Sequence, residues 1–129
     1  MKQVWFKKSQ PFSLHERGKS FGYAFNGIKA FFRTEHNALL HLLATIVVVI
    51  LAVVFPVTTT EAAVLALSVG FVWAAELFNT AIEKIMDFIS VEKQPQIKYI
   101  KDLSAAAVLV TAVAAAAAGL IVFIPKIFL

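Results

Sequence analysis

The chain has 129 residues, of which 60% are hydrophobic and 16% charged, with no cysteine and a formal net charge of +4. That apolar share, well above the roughly 45 to 50% of soluble domains, indicates an integral membrane protein built as one small domain over residues 1–129. The absence of cysteine excludes disulfides, thiolate metal sites and thiol nucleophiles, and since the basic residues flank apolar runs, the positive charge signals topology and not nucleic-acid binding.

In chain order, Met1 to Arg33 lacks the apolar core and small-residue cleavage site of a secretory signal. Within it, Phe21, Phe25, Ile28 and Phe32 recur at helical spacing, while Lys19, Asn26, Lys29 and Arg33 gather on another side. This predicts an amphipathic helix over about residues 14–34, lying in the membrane interface. Three spans follow, at about residues 38–55, 62–89 and 105–124, the first ending at Pro56 and the last at Pro125. The connection from Pro56 to Glu61 has no Lys or Arg, whereas the N-terminal segment and the second connection carry many, Lys93, Lys98 and Lys101 among them. The positive-inside rule then places the N-terminus and the second connection in the cytoplasm. The predicted fold is therefore all-α: a surface helix plus three transmembrane helices. Three short spans enclose little, so oligomerisation is expected to complete any pocket.

The chemistry is concentrated late in the second span, in Glu76-Leu77-Phe78-Asn79-Thr80-Ala81-Ile82-Glu83-Lys84-Ile85-Met86-Asp87. At about 100° per residue, with Glu76 at zero, Asn79 falls near −60°, Thr80 near +40°, Glu83 near −20° and Asp87 near +20°. All lie on one face. Glu35, Glu83, Asp87, Lys101 and Asp102 belong near the cytoplasmic interface, and Glu76 lies about 10 Å deeper than Glu83 at 1.5 Å per residue. An ionised carboxylate in hydrocarbon costs roughly 2.5 to 3.5 kcal/mol or more, so this face requires cations, partners or water. Carboxylates without His or Cys favour a hard cation such as Mg²⁺. A deeper carboxylate, shielded from water, is suited to take a proton from an alcohol, and that alcohol can belong to a lipid. The plainer alternative is that Glu76, Asn79 and Glu83 only bind helix to helix. His36 and His41 read as packing or interfacial hydrogen-bonding residues, with metal ligation the weaker reading.

Gly18-Lys19-Ser20 does not make a phosphate loop: Ser13 stands where the first glycine is required, and no strand precedes it. The glycine-rich loop and His-Arg-Asp loop of protein kinases and the Gly-x-Ser-x-Gly elbow are absent too.

The stretch from Glu76 to Asp87, with Lys101-Asp102-Leu103-Ser104-Ala105-Ala106-Ala107-Val108 further on, resembles the signature of the bacterial diacylglycerol kinase and undecaprenol kinase family. Tyr23-Ala24-Phe25-Asn26-Gly27-Ile28-Lys29-Ala30 and Glu35 extend the resemblance, which covers the chain from about Gly18 onward. It implies a homotrimer of three-span subunits in the bacterial inner membrane, with active sites shared between neighbours, that phosphorylates a lipid alcohol from ATP and Mg²⁺. By the same resemblance, Glu76 matches the general base, and Glu35 and Glu83 match the acids that hold Mg²⁺. Tyr23, Asn79, Glu83, Asp87, Glu92, Lys93, Gln94, Lys101 and Asp102 match positions at the nucleotide. Arg17 or Lys19 stands in for a nearby basic residue. The stretch Glu35-His36-Asn37-Ala38-Leu39-Leu40-His41 is more similar to undecaprenol kinase members than to proteobacterial diacylglycerol kinases, which favours undecaprenol while leaving diacylglycerol open.

Two further classes fit the same residues. An oligomeric ion- or proton-conducting pore would also place acids in the membrane, though it has no need of Lys101-Asp102 or a basic surface helix. A non-enzymatic assembly subunit would tolerate replacement of the acids by Gln.

Overall fold

The computed structural model describes residues 12–92 and 94–128, as four helices: α1 (Leu14–Thr34), α2 (Asn37–Val54), α3 (Thr59–Ile89) and α4 (Pro95–Phe128). The last three are long and apolar enough to cross a membrane.

Local signals account for most of the helix ends. Ser13 caps α1, its hydroxyl accepting from the Glu16 N–H at 3.4 Å. At the start of α3, Thr58 and Glu61 form a capping box: the Thr58 N–H donates to Glu61 Oε2 at 2.7 Å and the Glu61 N–H to Thr58 Oγ1 at 3.2 Å. α2 stops at Val54, with Phe55 extended ahead of Pro56. Pro95 opens α4 in the first turn, where a missing N–H costs nothing.

α4 contains the predicted span at about residues 105–124 and extends past it at both ends. It begins at Pro95, so Lys98, Lys101 and Asp102 ride on the helix itself, which is polar for its first two turns before turning apolar. It also runs through Pro125 to Phe128. A proline this close to a helix end removes one hydrogen bond and strains one turn, which the remaining helix tolerates.

α3 and α4 form the best-packed pair. At one end Lys126 meets Glu61 at 3.1 Å, and beside this pair Leu65, Val122 and Phe123 form a small core joined by Val48, Leu51 and Phe55 of the α2 side. At the other end Lys101 pairs with Asp87, and Ser104 Oγ donates to Asn79 Oδ1 at 2.7 Å. α1 is tied to the bundle by the buried Phe31, whose ring stands edge-on to Trp73 of α3 at 6.2 Å, with Phe32 against the same indole at 5.5 Å. Most large apolar side chains face outward, Phe88 92% exposed among them. Lipid or a neighbouring subunit can cover such a surface at no hydrophobic penalty.

Candidate active site

Glu76 is the buried acid among the described residues, 3% exposed, and His41 of α2 covers it: His41 Nε2 lies 2.6 Å from Glu76 Oε1. A carboxylate without a proton only accepts, so one proton sits between the two atoms. The His41 ring is itself framed. Trp73 stands edge-on to it at 6.4 Å, the Trp73 indole N–H donates to Thr45 Oγ1 at 3.0 Å, and the Thr45 hydroxyl donates to the His41 carbonyl at 2.7 Å. The sequence favoured packing or interfacial hydrogen bonding for His41 ahead of metal ligation, and named no partner for it on α3. The signal that finds the pair is that His41 is the one ionisable side chain within α2, and an ionisable group in a membrane span requires a partner on a neighbouring one.

The acidic face of α3 divides among its neighbours. Asn79 turns toward α4, accepting from Ser104, while its amide N–H donates to Glu83 Oε1 at 3.2 Å. Asp87 is joined to Lys101, and Asp102 to Lys98 one turn earlier on α4. Glu35, just past the end of α1, lies 3.3 Å from Lys84 and accepts from the Thr34 hydroxyl at 3.1 Å. That ion pair ties Glu35 to Lys84 of α3. Among the described residues, no group of three or more His, Asp or Glu converges as a metal cage. Two carboxylates nonetheless suit Mg²⁺, which fills the rest of its shell with waters and substrate phosphates.

The other predicted site residues lie further out. Tyr23 is 70% exposed on α1. Arg17 lies over the Phe12 ring at 5.4 Å, and Lys19 pairs with Glu16 at 2.9 Å. Gly18, Lys19 and Ser20 sit inside the helix, where no phosphate loop can form. Glu92 donates its N–H to Ser90 Oγ at 3.1 Å, and the Gln94 carbonyl accepts the Lys98 N–H at 3.0 Å. Lys93 lies outside the described residues.

Next to the Glu76–His41 pair opens a cleft of about 650 Å³ between α2, α3 and α4. Its lining is almost wholly apolar, with Ala112, Ala116, Gly119 and Phe123 from α4, and His41, Thr45 and Trp73 stand at the end nearest Glu76.

The profile of the prokaryotic diacylglycerol kinase family matches residues 22–123, which contain Glu35, His41, Glu76, Asn79, Glu83, Asp87, Lys101 and Asp102. The chain belongs to that family. It is a lipid kinase, and the pore and assembly-subunit readings give way to an enzyme. Among its relatives, the kinase is similar to undecaprenol kinase of Bacillus subtilis, 38% identical over 109 residues that make up 84% of this chain and 89% of that protein. It is also similar to a diacylglycerol kinase of Synechocystis, 33% identical over 109 residues, 84% of this chain and 62% of the longer relative.

Proposed function

We propose that this kinase transfers the γ-phosphoryl group of ATP to the hydroxyl of a membrane lipid alcohol, undecaprenol in preference to diacylglycerol. The site lies at the cytoplasmic interface of the bacterial inner membrane, with the N-terminus on the cytoplasmic side. The observation that carries the reading is a carboxylate, Glu76, buried in a membrane span, inside the segment matched to the family and beside an apolar cleft. Phosphoryl transfer needs in-line positioning and charge neutralisation more than covalent chemistry. Glu35 and Glu83 would hold Mg²⁺, which supplies that neutralisation at the phosphates. Lys101 and Asn79 orient the nucleotide beside Asp87 and Asp102. Glu76 takes the proton from the lipid hydroxyl, and the apolar cleft gives the tail a path from the bilayer. The Bacillus subtilis relative supports undecaprenol, as does the stretch from Glu35 to His41.

The direct test incubates the purified chain in detergent or bilayers with labelled ATP, Mg²⁺ and either undecaprenol or diacylglycerol. Label is expected in a chloroform-soluble product, faster with undecaprenol. Unlabelled lipid, with liposomes made leaky to cations, would overturn the reading.

The chain is also proposed to assemble as a homotrimer with shared sites. On α1, Lys19 and Tyr23 share the polar side while Arg17 lies beside the Phe21–Phe25 stripe, and all three are exposed and open to a neighbour. Co-assembly of Glu35→Ala with Glu76→Ala subunits is expected to restore activity at about one site in four, the share that draws both intact residues from different subunits of a symmetric ring. Mixtures that stay inactive, although cross-linking shows co-assembly, would mean that Glu35 and Glu76 of each site come from one chain.

A further inference from the structure

We propose that His41 is a positioning residue of the phosphoryl transfer, holding the Glu76 carboxylate so that its second oxygen meets the lipid hydroxyl. The inference rests on the reading of Glu76 as the general base. In the reaction, the hydroxyl oxygen bonds to the γ-phosphorus, and the bond from that phosphorus to the β–γ bridging oxygen breaks, leaving its electron pair on ADP. The hydroxyl proton passes to Glu76 Oε2, and from there to water after the products leave.

A glutamate side chain has several free torsions, and a carboxylate buried beside an apolar cleft has no fixed orientation without a hydrogen-bond partner. Here Oε1 is fixed 2.6 Å from His41 Nε2, which leaves Oε2 as the atom available to a substrate. The constraint continues behind the ring. Trp73 packs edge-on against His41 and donates to Thr45, Thr45 donates to the backbone of His41, and Phe31 and Phe32 close over Trp73 from α1. The imidazole therefore stands on a rigid support made by three helices, the arrangement that holds a reacting group in a productive geometry. The other acids of this end of the molecule are engaged elsewhere: Glu35 with Lys84, Glu83 with the Asn79 amide, Asp87 with Lys101 and Asp102 with Lys98. His41 is thus the charged or titratable partner that the structure gives Glu76. It also lines the end of the cleft, where an incoming head group would pass.

The amide N–H of a glutamine reaches as far from the backbone as the Nε2–H of histidine, so His41→Gln keeps the donor and His41→Leu removes it. With the full-length protein in mixed micelles, His41→Leu is expected to lower kcat by about 10²-fold, the order lost when a reacting group is misplaced by about 1 Å. The KM for Mg-ATP should stay at the wild-type value, and His41→Gln should recover most of the lost kcat. In a Glu76→Gln background, adding His41→Leu should cost little more, since two residues that act as one unit are not additive. Equal losses in the Gln and Leu variants, or a loss that falls on the KM for Mg-ATP, would overturn the proposal and leave His41 a packing residue. So would wild-type kcat in His41→Leu. Glu76→Gln alone tests the underlying reading: if it turns over normally the base is wrong, whereas an inactive Glu76→Gln beside a fully active His41→Leu removes only the role of His41.

Discussion

Glu76→Gln is expected to lower lipid phosphorylation by about 10² to 10⁴-fold, the range that a positioned general base contributes. The substitution changes one group for another of the same shape. The Gln carbonyl still accepts from His41 Nε2, so the contact between α2 and α3 survives, and only the capacity to take a proton is lost. Because Glu76 is read as touching the lipid hydroxyl and not the nucleotide, the KM for Mg-ATP should stay close to the wild-type value. Initial rates measured against ATP at saturating lipid separate the two parameters. A variant that keeps turnover within tenfold of wild type would remove Glu76 from the chemistry and return it to the role of polar glue between helices.

Glu35→Gln and Glu83→Gln should behave in the opposite way, raising the KM for Mg-ATP by about one to two orders of magnitude. That is the effect of losing an interaction with a charged group worth about 1.5 to 3 kcal/mol. The two sites differ in what else is disturbed. Glu35→Gln also releases Lys84, its partner at 3.3 Å, and Glu83→Gln leaves Asn79 with an amide neighbour in place of a carboxylate. Raising Mg²⁺ should restore part of the rate in both variants, and should do nothing for Glu76→Gln. Loss of nucleotide affinity as large in Glu76→Gln as in Glu83→Gln would end this division of labour between proton transfer and metal.

Much of the architecture was legible because membrane spans are read from composition and length. The apolar runs mark α2, α3 and α4, and the alternation of Phe and Lys marks α1. The acidic face of α3 was legible from helical periodicity alone. What that periodicity does not contain is which neighbour each residue meets. Glu76 and Asn79 differ by only about 60° around the helix, yet Glu76 meets His41 of α2 and Asn79 meets Ser104 of α4. Pairings across helices depend on how far the helices slide past one another, and no local signal records that. The helical state of the polar start of α4 was not legible for a related reason. Lys98, Lys101 and Asp102 read as a connection by hydropathy, but residues after Pro95 extend a helix whose other end is held in the bundle, and Lys98–Asp102 at i, i+4 supports it.

The pairing of Glu61 with Lys126, beside the capping box at Thr58, gathers charge at the far end of the bundle, where the proposed topology puts the headgroups. Charges there stay at the water boundary, and from Glu61 to Glu76 the helix rises about 22 Å at 1.5 Å per residue. In a hydrocarbon layer about 30 Å thick this leaves Glu76 about 8 Å below the opposite boundary. On the proposed topology, α3 is a ruler with its zero on the outer side. With Glu76 as the proposed base, a thinner bilayer would bring its carboxylate toward water and the lipid hydroxyls and a thicker one would sink it among the tails, so the chain length of the surrounding phospholipids is expected to set how well substrate and base meet.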